Sequence, residues 1–135
     1  METARRLAAL ALALACSAAS PGAVAQFVGL LKGGPVEYFD KADLNLFLDT
    51  AYKALDEGAD NQPLAWQNPE NGHRGEMTVL KTFDSKGRNC KLLRVRNEAQ
   101  GLRSDMRHNL CKIDGRWRLV GDLKPGAKKS RNGAG

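Results

Sequence analysis

The residues able to do chemistry are few: three cysteines (Cys16, Cys90, Cys111), two histidines (His73, His108), scattered serines and the acids of one short segment. A Cys2His2 zinc site can be drawn from Cys90, Cys111, His73 and His108, but no short Cys-x-x-Cys or His-x3-His pair supports it. Acid and base catalysis needs carboxylates that converge, whereas Asp49, Asp56 and Glu57 fall on the solvated side of a helical pattern. Ser85, Ser104 and Ser130 lie in no Gly-x-Ser-x-Gly elbow, and Gly72-His73-Arg74-Gly75 lacks the Gly-Lys-Ser/Thr ending of a phosphate loop. His73 reads as a turn residue and His108 as a strand residue. The expectation is a protein with no catalytic residues, metal or cofactor; an enzyme built from dispersed residues is the third alternative.

What remains for the cysteines depends on compartment. Arg5 and Arg6 precede an apolar run from Leu7 to Ala15 and then small residues, the pattern of an export signal. The run is far shorter than the roughly 20 residues of a bilayer span, and Pro21-Gly22 interrupts it. Two processing routes stay open: cleavage after Ala23-Val24-Ala25 to leave Gln26, or lipidation of Cys16, whose preceding box carries Ala13 and the bulky Leu14. Either route leads to an oxidising compartment, where Cys90 and Cys111 are expected to form one disulfide.

The elements that must position these residues follow from periodicity. Asp40 is placed to cap a helix, with Asp43 at its third position and Phe39 and Leu44 placed as a hydrophobic staple. Leu44, Phe47, Leu48, Ala51, Ala54 and Leu55 recur at steps of three and four, which predicts a helix over 41–57 ended by Gly58. Strands are expected at 62–67, 75–83, 88–97 and 102–113, with a fifth around Trp117, Leu119 and Val120, joined by turn-forming residues such as Asn71-Gly72, Lys86-Gly87 and Asp114-Gly115. In the second strand Met77, Val79 and Lys81 are expected on one face. The domain is expected over 36–121, after a flexible lead-in (26–35) and before a disordered basic tail (122–135).

A loop centred between Gln100 and Gly101 would place Cys90 opposite Cys111, Leu93 opposite His108 and Val95 opposite Met106. One face then carries Leu93, Val95, Met106, His108 and Leu110, the other the cysteines with Leu92, Asn109 and Ile113. Apolar residues on both faces call either for a bulge or for cover on both sides. The fold class expected is α+β, an amphipathic helix packed on a twisted antiparallel meander of four or five strands, with Trp66 and Trp117 as core or rim residues.

Charge is unevenly divided: residues 36–60 hold seven acids and two bases, and residues 61–135 hold seven acids and sixteen bases. Arg94, Arg96, Arg103, Arg107, Arg116 and Arg118 fall on adjacent expected strands and form a candidate anion-binding surface, for instance for an envelope glycolipid. No zinc finger, helix-turn-helix or ribonucleoprotein motif supports specific nucleic-acid reading.

Trp66-Gln67-Asn68-Pro69, Gly72, Gly75, Lys81-Thr82-Phe83, Gly87 with Cys90, and Cys111 with Asp114-Gly115-Arg116-Trp117 together resemble the carboxy-terminal domain of the rickettsial 17-kilodalton surface-antigen family. The resemblance covers about residues 55–120. It implies export by a Gram-negative bacterium to the periplasm or outer membrane, no catalytic residues, a matching cysteine pair, and structural roles for Trp66, Trp117, Gly72, Gly87 and Gly115. Fuller members carry a glycine-zipper region ahead of this domain, where this chain has only Gly29, Gly33 and Gly34. The function expected is a structural or surface-recognition role in the cell envelope, with an envelope glycolipid or envelope protein as partner and membrane association only through lipidation or a peripheral contact. A periplasmic module binding anionic ligands on the basic sheet is the alternative.

Overall fold

The computed structural model describes residues 28–121, so the expected export signal, Cys16 and the expected basic tail from residue 122 lie outside the described residues. Two 3-10 turns, Val28–Leu31 and Gly34–Tyr38, lead into helix α1 (Lys41–Glu57), followed by strands β1 (Leu64–Gln67), β2 (Arg74–Ser85), β3 (Arg88–Ala99), β4 (Leu102–Ile113) and β5 (Arg116–Val120). The strands form one antiparallel sheet in sequence order, an open meander. The stretch read as a flexible lead-in is partly built: Leu30 and Pro35 in its turns are buried.

Helix α1 starts where the sequence places it because Asp40 accepts from the Asp43 backbone N–H while the Asp43 side chain accepts from that of Asp40, a capping box with aspartate at both positions. Its buried stripe is Asp43, Phe47, Ala51, Ala54 and Leu55, while Leu44 and Leu48 are half-buried at its margin. Phe39, just ahead of the cap, packs on Phe47 and edge-on against Trp66. At the helix end the Gly58 N–H reaches the Ala54 carbonyl, and a Cβ at Gly58 would lie 2.3 Å from that oxygen. Phe47 is wholly buried, so Phe47→Ala is expected to cost about 3–5 kcal/mol.

The β3–β4 register is the one expected, with Cys90 opposite Cys111, Leu93 opposite His108 and Val95 opposite Met106, and it runs unbroken to Ala99 opposite Leu102. The last three of the four hairpins turn through two residues with positive φ at both, Lys86-Gly87, Gln100-Gly101 and Asp114-Gly115, the backbone that matches the twist of paired strands. The inner face of the sheet presents Met77, Val79, Leu93, Val95, Leu110 and Trp117 to Phe47, Ala51, Ala54 and Leu55 of α1. One expectation fails in β2: the pairing shifts between Val79 and Lys81, so Val79 faces Leu93 but Lys81 faces Leu92. The extra residue, Leu80, forms a bulge and turns Lys81 to the outer face, away from Met77 and Val79. That bulge lets Phe83 share the outer face with Cys90.

Candidate functional site

Two polar assemblies stand on opposite sides of the sheet. The inner one begins with Asp43, an acid on the apolar stripe of α1 with no exposed surface. The loop between β1 and β2 folds against it: Asn68 Nδ2 donates to Asp43 Oδ1 at 2.8 Å, and Asn71 Nδ2 donates to both Asp43 oxygens at 3.1 Å. The same loop closes on itself, with the Asn68 N–H on the His73 carbonyl and the Gly72 N–H on the Asn68 carbonyl, each at 2.8 Å. That closure sets His73 Nδ1 at 2.7 Å from Asp43 Oδ2 and Nε2 at 3.1 Å from the Gln100 amide nitrogen. A carboxylate only accepts, so the His73 proton sits on Nδ1 and Nε2 accepts from Gln100. Phe39 stacks over the ring, with centroids 6.2 Å apart. Burial pushes the Asp43 carboxyl up, but the hydrogen bonds from His73, Asn68, the Asp40 backbone and Asn71 outweigh it and hold its pKa at about 2.

This Asp–His pair has the distance of a catalytic dyad and none of its accessibility. His73 is buried, and both its ring nitrogens are engaged by Asp43 and Gln100 rather than directed at a hydroxyl or thiol. Cys90 and Cys111 are joined in a disulfide and supply no nucleophile. Among the described residues no cluster of three or more His, Cys, Asp or Glu is arranged to hold a metal ion, and no helix is long and apolar enough to cross a membrane. His108 lies on the inner face, half-buried, with burial pulling its pKa down.

The outer assembly is exposed. Across β2, β3 and β4 one row reads Arg74, Glu98, Arg103 and the next reads Glu76, Arg96, Asp105, so charges alternate both along and across the strands. Arg74 bonds Glu98 at 2.9 Å and Arg103 reaches the same carboxylate at 3.4 Å; Arg96 lies 3.8 Å from Glu76 and 3.4 Å from Asp105. Arg94 closes on Asp105 with two nitrogens, which holds the Asp105 carboxyl at about 2 and raises the Arg94 guanidinium further. The Glu98 carboxyl is lowered, chiefly by Arg74. These residues floor an open groove of about 780 Å³ that extends over Gln67 and Ala65 of β1.

The six arginines proposed from sequence therefore divide. Arg94, Arg96 and Arg103 share the outer face and are tied to acids, whereas Arg107, Arg116 and Arg118 form no ion pair among the described residues. Arg107 faces Arg94 directly, the point where the alternation of sign breaks. The sequence reading missed the acids Glu76, Glu98 and Asp105; the register it proposed already puts Arg96 opposite Asp105 and Glu98 opposite Arg103.

The tryptophans and glycines hold the frame. Trp117 is buried, its Nε1–H donates to Asp56 at 2.8 Å, and Lys91 and Lys112 stand over its ring. Trp66 lies across Gly75, where a Cβ would meet its Nε1 at 2.3 Å and Asn97 Oδ1 at 2.6 Å. Lys112 also reaches Asp56 at 3.8 Å, so the acidic helix docks on the basic sheet at this end.

Residues 53–118 match the model of a family described as 17 kDa outer membrane surface antigen. The 17 kDa surface antigens of Rickettsia prowazekii (strain Madrid E), Rickettsia conorii and Rickettsia rickettsii are each 30% identical over 83 residues, covering 60% of this chain and 52% of theirs. The chain thus spans about half the length of the curated relatives it matches, and no solved structure matches it. The matched segment includes both cysteines, both tryptophans and the loop that grips Asp43. Over residues 53–118 this domain matches the 17 kDa surface-antigen family.

Proposed function

We propose that this is a non-enzymatic protein of the bacterial cell envelope with a structural and surface-recognition role, and that the recognising surface is the outer face of the sheet. The observation that carries this reading is the one-sided cover of the meander. Helix α1 packs on the inner face, and among the described residues no element packs over the charged rows of the outer one. An antiparallel sheet tolerates water on one face, so the open face is compatible with a stable fold and free to meet a partner. The names of the relatives support the same reading. The location is the envelope, as the description of the family says.

Within this reading the partner chemistry is anionic. The groove itself is close to neutral because its arginines are paired, so the attraction comes from the Arg94–Arg107 contact and from Arg116 and Arg118 of β5. Binding to vesicles containing an anionic envelope glycolipid, compared with neutral vesicles over a salt series, tests it. Arg107→Ala with Arg118→Ala should weaken anionic-vesicle binding, and salt should weaken it in the parent. Equal binding to neutral vesicles, or full binding by the folded double variant, would remove the anionic partner.

A further inference from the structure

Over its first half β4 is an edge strand of the sheet among the described residues. β5 pairs only with Asn109–Ile113, so among the described residues nothing hydrogen-bonds to the far edge of Leu102–His108. Such an edge is a template for another strand. It is also apolar on its inner side: among the described residues, two of the three exposed large hydrophobic ones, Leu102 and Met106, at 43% and 42% exposure, lie on it.

We infer that this edge is an interface between two copies of the chain, paired antiparallel about Ser104. The register follows from the backbone. Cys90 and Cys111 stand 4.0 Å apart at Cα, the short spacing of a non-hydrogen-bonded pair. Alternation along β4 then turns the backbone groups of Arg103, Asp105 and Arg107 toward the open edge. A two-fold axis at Ser104 pairs Arg103 with Asp105 of the second copy, and Asp105 with its Arg103, each pair exchanging two backbone hydrogen bonds. On the inner face Leu102 meets Met106 of the second copy, and the reverse.

Neighbouring registers fail. An axis at Asp105 sets the two Asp105 carboxylates against each other and Arg103 against Arg107. An axis at Met106 drives Arg103 into the position already held by β5 beside Asn109. With the axis at Ser104, Arg107 and His108 separate the paired stretch from β5. An isologous contact of this kind requires a self-complementary patch, and Leu102–Met106 is one in both charge and apolarity.

The test is sedimentation of the exported chain, purified with its disulfide intact, at concentrations up to about 100 µM, a range that populates a dimer of micromolar affinity. The parent should double in mass as concentration rises. Arg103→Glu places a glutamate against Asp105 of the second copy and should stay monomeric, as should Asp105→Lys, which sets a lysine against Arg103. An equimolar mixture of these two variants restores both opposite-charge pairs and should dimerise. Because Asp105 also holds Arg94, circular dichroism must show that variant folded; if it is not, Met106→Lys, at an exposed position, should be monomeric in its place. A parent that stays monomeric, single variants that dimerise like the parent, or a mixture of folded variants that does not would overturn the inference. It would also be overturned if deleting residues 122–135 converts a monomeric parent into a dimer, since the chain itself would then cover the edge.

Discussion

Asp43 and Asp105 have nearly the same acidity and opposite settings. Both carboxyls are held at about 2, one with no exposed surface behind helix α1, the other on an open sheet face with 45% of its side chain in water. Asp43 is lowered against the pull of burial by His73, Asn68, the Asp40 backbone and Asn71, and of the side chains that grip it His73 and Asn68 are buried, away from any substitute in water. Asp105 is lowered by Arg94 and Arg96, which solvent will accept without penalty. A shifted pKa therefore identifies a strong local partner; burial decides whether the fold depends on it.

Asp43→Ala should have the largest effect. It leaves Asn68 and His73 buried without their acceptor, and a loss of about 3–5 kcal/mol is expected, measured by denaturant unfolding. Next in size is the disulfide. It closes a separation of 21 residues, and Cys90→Ala with Cys111→Ala should cost about 2–4 kcal/mol in the same assay. The hairpin register should survive, because the two-residue turn at Gln100-Gly101 fixes it independently.

Acid should expose Asp43 before it exposes anything else in the core. Its folded pKa of about 2 lies below its ordinary value of 3.8, so its stabilisation is fully present above about pH 4 and is lost as pH falls from there toward 2. Thermal midpoints measured across that window should drop in the parent. In a folded Asp43→Asn variant the drop should be smaller. The smallest effect belongs to the outer face: Arg94→Ala should leave the unfolding midpoint unchanged within error at physiological salt, despite its close contact with Asp105.

How legible this was differs between the two assemblies. The helix, its caps and the β3–β4 register could be read because each is written locally: Asp40 and Asp43 three residues apart, Gln100-Gly101 at the turn, Cys90 and Cys111 equidistant from it. The outer ion pairs were within reach of the same register. The inner network was not read because Asp43 already had a sufficient explanation as a cap, while its partner His73 lies 30 residues away in a loop whose Asn-Gly sequence explains itself as a turn. One signal was present: Asp43 is in phase with Phe47 and Ala51, and an acid on the apolar stripe of a helix requires a buried partner. The bulge at Leu80 left one trace that was not used: Val79-Leu80 are adjacent apolar residues followed by Lys81-Thr82, which breaks the alternation of Met77 to Phe83 where the residue is looped out.

The buried Asp43 network holds the domain together, whereas the exposed ion pairs of the outer face contribute little to its stability. Two double-mutant cycles in one unfolding assay test it, Asp43 with His73 against Arg94 with Asp105, each residue changed to alanine. A coupling of about 2 kcal/mol or more is expected for the buried pair and none that can be resolved for the exposed one. A coupling across Arg94 and Asp105 that equals or exceeds that across Asp43 and His73 would contradict it, because the outer face would then be part of what holds the fold.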